Sequence, residues 1–165
     1  MNYGAIKKYD IANGEGVRVS LFVSGCRRHC KGCFNEETWN FDYGEEFTSH
    51  KFFELLKALD KPYISGLSIL GGEPLEPENV DEIGSLIRMF RTAFGCTKTI
   101  WLYTGFQFDE IKHLDFIELI DVIVDGPFVE DLKDISLNFR GSSNQRVLDV
   151  KKSLAADEPV LWTQG

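Results

Sequence analysis

Short apolar runs alternate along the chain with longer stretches in which apolar residues recur at helical spacing. The runs rich in β-branched and aromatic residues predict strands at 17–23, 66–70, 99–103 and 120–124. The helical spacing predicts helices at about 49–59, 77–94 and 107–114, and a segment near 147–162 is expected to add a strand or a helix. Residues 34–47 are polar and aromatic and are predicted to form a loop. Alternating strands and helices indicate an α/β fold with a largely parallel sheet.

Polar residues follow the end of each predicted strand. They are Cys26–Cys33 after the first strand, Gly71–Glu73 after the second, Thr104 after the third and Asp125 after the fourth. Right-handed crossovers place the carboxyl ends of parallel strands on one edge of a sheet, so these four exits are expected to converge. The same geometry places active sites on one face of (β/α) barrels, and with four or five strands such a barrel is expected to be incomplete.

Three cysteines, Cys26, Cys30 and Cys33, lie within eight residues just after the first predicted strand. Three close thiolates can hold a soft metal or an iron–sulfur cluster. Because Fe–S clusters usually take four thiolates, a four-iron cluster held by three would leave one iron open to a substrate or cofactor. The motif by itself favours such a cluster.

A disulfide framework and a zinc site are alternative roles for the cysteines. A disulfide framework belongs to an oxidising compartment, and nothing at the N-terminus is typical of a targeting segment. A zinc site could be completed by His29 or Cys96, although zinc modules usually show two paired half-sites and this chain has one cluster of ligands. Cys96 lies between a predicted helix and a predicted strand, and we expect it to pack as a small hydrophobe away from the strand exits.

The composition is that of one packed globular domain over 1–165, with 43% hydrophobic residues. A formal net charge of −8 argues against nucleic acid as a partner, because phosphate contacts need a basic face. No apolar run approaches the roughly 20 residues that span a bilayer, so no membrane partner is expected, and the clustered thiols suit a reducing cytoplasm. Arg27, Arg28 and Lys31 are either ordinary solvated loop charge or a positive rim that receives an anionic group.

The cysteine motif followed by Gly71-Gly72-Glu73 resembles the radical S-adenosylmethionine enzymes. The resemblance implies one radical S-adenosylmethionine domain, in which the three cysteines hold a [4Fe-4S] cluster. The open iron would chelate the amino and carboxylate groups of the cofactor's methionine, and the Gly-Gly-Glu segment would lie along the amino group. The residue types agree, because glycines permit close approach of the backbone and a carboxylate accepts hydrogen bonds from an ammonium.

The resemblance implies further cofactor contacts, one of which departs from the pattern of the superfamily. Gly32 stands before the last cysteine, where many members of the superfamily carry an aromatic residue, and Phe34 is expected to cover the adenine instead. Thr104 and Asp125, at the two following strand exits, are further candidate cofactor-binding residues.

The chain is most similar in motif to the family of activating proteins of anaerobic ribonucleotide reductases, from about residue 2 to 144. The similarity rests on the segments 13–16, 24–26, 32–33, 38–39, 71–75, 103–105, 124–126 and 140–144. It implies reductive cleavage of S-adenosylmethionine to a 5′-deoxyadenosyl radical, which takes hydrogen from a glycine of the large catalytic subunit. It also implies a reduced flavodoxin- or ferredoxin-type electron donor. Activation of another glycyl radical enzyme, such as pyruvate formate-lyase, and a non-enzymatic Fe–S electron carrier are the alternatives.

The polar segment 139–146 follows the last clear strand and contains Arg140 and Arg146. Gly, Ser and Asn are ordinary residues of a solvated surface turn. The alternative is that the segment borders an open cavity mouth, with Arg140 in contact with either the cofactor or the partner.

Overall fold

A computed structural model describes residues 1–164 of the chain, and seven strands account for its framework. They are β1 (Asn2–Asp10), β2 (Arg18–Val23), β3 (Glu45–Glu46), β4 (Gly66–Gly71), β5 (Thr99–Tyr103), β6 (Val122–Asp125) and β7 (Arg146–Asp149). The α-helices are α1 (Ser49–Leu59), α2 (Pro77–Phe94), α3 (Phe108–Ile111) and α4 (Val150–Ala156). Short 3-10 helices cover Glu36–Trp39, Ile117–Leu119 and Glu130–Leu132.

The elements with strong apolar periodicity lie where the sequence predicts them. Helix α1 begins after Thr48, whose hydroxyl accepts a hydrogen bond from the Lys51 backbone N–H at 3.3 Å, as an N-cap residue does. Helix α2 and strand β5 have the predicted bounds. The predicted helix at 107–114 is shorter, ending as an α-helix at Ile111, and the fourth predicted strand is shifted to 122–125.

Three elements are absent from the sequence prediction. Strand β1 precedes the first predicted strand, and the predicted loop at 34–47 contains both the 3-10 helix Glu36–Trp39 and the two-residue strand β3. The last segment provides both a strand and a helix, β7 and α4. Strands β1, β3 and β7 pair antiparallel to their neighbours, so the sheet is mixed rather than largely parallel throughout.

The strand order is β3-β1-β2-β4-β5-β6-β7, in which the four central strands β2, β4, β5 and β6 run parallel. The two outermost strands are not paired with each other, so the sheet is open. One edge is β3, formed by the exposed Glu45 and Glu46. The other edge, β7, is covered by the end of the chain through a bridge between Leu148 and Leu161.

One face of the sheet packs against the helices and forms the main core. Because side chains alternate along a strand, every second residue of β2, β4 and β5 points to this face. The sheet supplies Val19, Leu21, Val23, Leu67, Ile69, Ile100, Leu102 and Ile123 to it, and all of them are fully buried. Leu55 and Leu59 of α1 and Ile83, Ile87 and Phe90 of α2 pack into the same cluster.

The opposite face of the four parallel strands is built in layers, and we call it the inner face. The lower layer consists of the register partners Ser20, Ser68, Trp101 and Val122. The next layer, two positions further along each strand, consists of Phe22, Leu70, Tyr103 and Val124, which we call the floor. At the strand exits above the floor lie three residues without side chains, Gly72, Gly105 and Gly126.

The lower end of the inner face is closed by the buried guanidinium of Arg18. It donates to the hydroxyls of Ser68 at 2.8 Å and Thr99 at 2.9 Å, and to the main-chain carbonyls of Glu15, Leu67 and Thr99 at 2.9–3.0 Å. Burial lowers the pKa of Arg18 to about 10, so the group stays charged at neutral pH. No helix among the described residues is both long and apolar enough to cross a membrane.

Candidate metal and cofactor site

The three clustered cysteines lie on the loop that leaves β2, and we call residues 25–33 the thiol loop. Cys26, Cys30 and Cys33 are all partly buried and line one cavity of about 490 Å³, a volume typical of sites for cofactor-sized ligands. The 3-10 helix Glu36–Trp39 fixes the loop, because the backbone N–H of Cys26 donates to the Trp39 carbonyl at 3.1 Å. Cys96 lies outside the cavity wall, but the expectation that it packs as a small hydrophobe is wrong, because its side chain is exposed.

Backbone groups surround the cysteine sulfurs. The backbone N–H of Asn35 donates to the Cys33 sulfur at 3.4 Å, and the Cys33 N–H donates to the Cys30 carbonyl at 3.1 Å. Burial raises the pKa of the Cys26 thiol, while the backbone N–H groups of Arg28 and His29 act in the opposite direction. Hydrogen bonds of this kind also tune clusters bound through cysteine sulfur.

The donor arrangement suits a cluster better than a single ion. Within residues 1–164, no three side chains among His, Cys, Asp and Glu converge closely enough to hold one metal ion. His29 instead stacks on the Trp39 ring at 4.3 Å between centroids. A four-iron cube attaches each thiolate to a different iron, so it needs three thiols around one cavity rather than at one point. Neither His29 nor Cys96 joins the three cysteines in a single-ion site within residues 1–164.

The Gly71-Gly72-Glu73 segment leaves β4 directly beside the thiol loop. Gly71 has φ +111°, a conformation that side chains rarely adopt. A Cβ on Gly72 would lie 2.6 Å from the carbonyl oxygen of Gly25 and 2.9 Å from that of Thr38. The Glu73 N–H donates to the same Gly25 oxygen at 2.8 Å. Glycine at 72 is thus required by the protein's own backbone, before any cofactor is considered.

The carboxylate of Glu73 is buried and holds two strand exits together. One oxygen accepts from the Gly105 N–H at 2.7 Å, and the other from the Thr104 hydroxyl at 2.8 Å and the Leu75 N–H at 3.0 Å. Burial raises the pKa of Glu73, and these three donors oppose the shift. Thr104 and Glu73 both line the cavity, but the hydrogen bonds of the carboxylate are to the protein's own groups.

The three cations of the thiol loop have different surroundings. Arg27 forms ion pairs with Glu76 and Glu78, and Lys31 lies 3.7 Å from Glu130. Arg28 has no acidic partner within hydrogen-bond distance in the described part of the chain. Its guanidinium lies over the Phe106 ring, 4.6 Å from the centroid, and it lines the cavity. The predicted positive rim is therefore reduced to Arg28.

The remaining predicted cofactor residues divide into two groups. Phe34 lines the cavity and packs on Phe128, with ring centroids 5.1 Å apart. Gly32 and Asp125 do not form part of the cavity wall. The Asp125 carboxylate accepts from the Phe108 N–H at 2.8 Å and pairs with Arg146 at 2.6 Å, so its side chain serves the packing of α3 and β7.

The segment 139–146 borders the cavity, and its Arg140 folds back on the segment itself. The guanidinium donates to the carbonyls of Ser143 at 3.2 Å and Gln145 at 2.5 Å. Phe139, Arg140 and Gln145 all line the cavity.

Two cavity residues missed by the sequence prediction are Trp39 and Tyr103. Because side chains alternate along a strand, Tyr103 could have been assigned to the same face as Trp101.

Comparisons with known proteins agree with this site. A family model described as a 4Fe-4S single cluster domain matches residues 12–148. The anaerobic ribonucleoside-triphosphate reductase-activating protein of Enterobacteria phage T4 is 45% identical over 147 residues, covering 89% of this chain and 93% of that protein. Proteins of the same name from Escherichia coli K12 and Salmonella typhimurium are 44% and 42% identical over 152 residues, covering 89% of this chain and 97% of each relative.

The α/β fold, the thiol-lined cavity and the family match together define a 4Fe-4S single cluster domain protein. The chain belongs to the family of anaerobic ribonucleoside-triphosphate reductase-activating proteins.

Proposed function

We propose that this chain activates an anaerobic ribonucleotide reductase by radical S-adenosylmethionine chemistry. The proposal rests mainly on the position of two motifs in one cavity. The thiol loop and the Gly-Gly-Glu segment both line this cavity, and the Glu73 N–H donates a hydrogen bond to the Gly25 carbonyl. When bound there, a [4Fe-4S] cluster and S-adenosylmethionine would supply a 5′-deoxyadenosyl radical that takes hydrogen from a glycine of the reductase's large subunit.

The chain's own residues have distinct tasks in this proposal. Cys26, Cys30 and Cys33 would hold the cluster, and the main chain of Gly71 and Gly72 would border the methionine end of the cofactor. The apolar floor and the Phe34 ring exclude water from the reacting groups. The open, mixed sheet, parallel in its four central strands, would then be an incomplete (β/α) barrel of radical S-adenosylmethionine type, with its site at the carboxyl ends of the parallel strands.

A polypeptide substrate suits the exposed apolar side chain at the edge of the cavity. The relatives are named as activating proteins of a reductase, and we carry that partner over to this chain as part of the proposal. Ile135, which lines the cavity, is 92% exposed, so an apolar side chain at the mouth is free to contact an incoming polypeptide. A reduced flavodoxin- or ferredoxin-type protein completes the proposal as electron donor.

Iron reconstitution tests the cluster assignment. Under anaerobic conditions the wild type should take up about four irons per chain, whereas alanine variants of Cys26, Cys30 and Cys33 should each lose most of them. Cys96→Ala is the matched control, because this cysteine is exposed and lies outside the cavity. Loss of iron in the control to the same extent would contradict the three-thiolate assignment.

Two further measurements test the reaction. Reduced, reconstituted protein should release 5′-deoxyadenosine from S-adenosylmethionine, and with the reductase it should yield a glycyl radical signal in electron paramagnetic resonance. A cluster signal that S-adenosylmethionine does not alter would favour the electron carrier. Cleavage of the cofactor without a radical on the ribonucleotide reductase, but with one on pyruvate formate-lyase, would favour the other activase.

A further inference from the structure

The guanidinium of Arg28 forms no hydrogen bond within residues 1–164, although Arg28 lines the cavity. Every other arginine of the chain donates to a carboxylate, a hydroxyl or a main-chain carbonyl. They are Arg18, Arg27, Arg88, Arg91, Arg140 and Arg146. A guanidinium carries five N–H donors, and those of Arg28 are left for water or for a ligand.

Two neighbours nevertheless define the position of this guanidinium. Its Cζ lies over the Phe106 ring, 4.6 Å from the centroid. A Cβ placed on Gly105 would be 2.3 Å from the Arg28 Nε and 3.2 Å from its Cζ, so the missing side chain at Gly105 makes room for the guanidinium. Contact with an aromatic ring does not occupy the N–H donors, which stay free to bind an anion.

Arg28 lies where the thiol loop, the Gly-Gly-Glu segment and the exit of β5 meet. Along the chain it stands between Cys26 and Cys30. Its neighbour Gly105 donates its N–H to the Glu73 carboxylate at 2.7 Å. All five residues line the cavity. In the proposed function this junction surrounds the methionine end of the cofactor, so Arg28 is the cation closest in position to that end.

The acids of the cavity wall do not neutralise Arg28 directly. They are Glu73 and Asp134, and neither forms an ion pair with Arg28 in the described structure. The charge of Arg28 acts on the Glu73 carboxylate, but Glu73 is 1% exposed and its oxygens accept from three internal donors. The other cations of the wall are Lys7, which lies over the floor, and Arg140, which donates to main-chain carbonyls. Cations thus outnumber acids in this wall, although the chain has a net charge of −8.

We propose that Arg28 binds the carboxylate of the methionine part of S-adenosylmethionine through the free N–H donors of its guanidinium. The inference rests on the proposed function. The carboxylate is the anionic group of this cofactor, whose sulfonium and ammonium are positive. A planar guanidinium matches the two oxygens of a carboxylate, and a carboxylate that binds an iron through one oxygen still has the other to accept from Arg28.

The test is calorimetric binding of S-adenosylmethionine and of its decarboxylated analogue to reconstituted protein. Arg28→Gln should weaken binding of S-adenosylmethionine about tenfold, the lower end for a hydrogen bond to a charged group, because the Arg28 side chain is exposed. Binding of the decarboxylated analogue should not change. Lys31→Gln is the matched control, since it removes one positive charge from the same loop at a side chain that is 91% exposed and lies outside the cavity wall.

The other outcomes would overturn the proposal. They are wild-type affinity in Arg28→Gln, an equal loss for both ligands, and an equal loss in Lys31→Gln. Unchanged cofactor binding with slower formation of the glycyl radical would place Arg28 on the reductase instead. If Arg28→Gln takes up less iron, Arg28→Lys provides the comparison, because it keeps the charge without the planar donors. Its affinity should fall for S-adenosylmethionine alone, and loss of iron in both variants would show a structural role.

The wild type separates this proposal from the proposed function. A wild type that binds S-adenosylmethionine but forms no glycyl radical on the reductase contradicts the proposed function and leaves the assignment of Arg28 standing. A wild type that does not bind the cofactor contradicts both.

Discussion

Replacing Asp10 by Asn should destabilise the protein, because the Asp10 carboxylate holds the turn after β1 by hydrogen bonds. Asp10 ends β1, and one of its oxygens accepts from the Ala12 N–H at 2.8 Å. The other accepts from the Asn13 amide at 2.7 Å and the Ser20 hydroxyl at 2.6 Å. An asparagine has one acceptor oxygen in place of two, so whichever way its amide turns, at least one donor faces an NH₂ group.

The structure sets the size of the expected effect. A hydrogen bond to a charged group contributes about 1.5–3 kcal/mol, and Asp10→Asn loses at least one of them. For a chain of this length each kcal/mol lowers the melting temperature by about 2–4 °C, so the expected decrease is about 3–12 °C. The measurement is thermal unfolding of reduced, cluster-free protein followed by circular dichroism. Asp42→Asn is the control, because the Asp42 side chain is exposed and forms no hydrogen bond in the described structure.

The effect should also depend on pH in a defined direction. Burial alone would raise the pKa of Asp10, but hydrogen bonds from Ser20, Asn13 and Ala12 outweigh it and hold the pKa below its usual value. A lowered pKa in the folded state means that the stabilisation is present above the unfolded value of about 3.9 and is lost as the pH falls through the folded value. The difference between wild type and variant should therefore shrink below about pH 4. A decrease no larger than that of Asp42→Asn at neutral pH would refute this account of the turn.

Two further predictions concern the junction between the thiol loop and the strand exits. Gly72→Ala should lower iron content as well as cofactor affinity, because its Cβ would lie 2.6 Å from the Gly25 oxygen, and iron at the wild-type level would contradict this packing. In Gly105→Ala the new Cβ would lie 2.3 Å from the Nε of Arg28, so the Arg28 side chain should be displaced. The protein should then lose the cation–π contact between Arg28 and Phe106, which contributes about 0.5–1 kcal/mol to stability. In an Arg28→Ala background the same change should have almost no effect on urea unfolding, and equal effects in both backgrounds would exclude the contact.

The spacing of apolar residues was sufficient to predict the helices and strands that bury one regular face. Helices α1 and α2 and strand β5 carry apolar residues on a regular face, and the prediction places them correctly. Strand β1 was missed because its central residues, including Lys7 and Lys8, are exposed; it is held by antiparallel pairing with β2 rather than by its own hydrophobicity. Such pairing joins residues far apart in the chain, which a local pattern does not contain.

In the candidate site, too, some features could be predicted from the sequence and others could not. The thiols and the Gly-Gly-Glu segment could be predicted because strand exits converge on one edge, and the structure brings both to one cavity. The partners of individual side chains could not, since they depend on neighbouring elements. Glu73 was expected to accept from a cofactor ammonium, but its oxygens already bind Gly105, Thr104 and Leu75. Asp125 lies at the predicted exit, yet its position in β6 turns the carboxylate toward Arg146.

The short acidic edge of the sheet has a consequence for self-association. An exposed strand edge is a template on which a second chain can add a strand, and long apolar edges lead to aggregation. Here β3 offers only Glu45 and Glu46, and two copies meeting there would bring four carboxylates together. The rest of this edge is β1 beyond Tyr3, which has no partner strand on that side within residues 1–164 and presents the exposed Lys7 and Lys8, and charged side chains on an edge also oppose strand addition. The opposite edge is already occupied by the chain's own end at Leu161. Growth by strand addition is thus opposed on both sides, although the sheet never closes, so the molecule can keep its cavity open without polymerising through its edges.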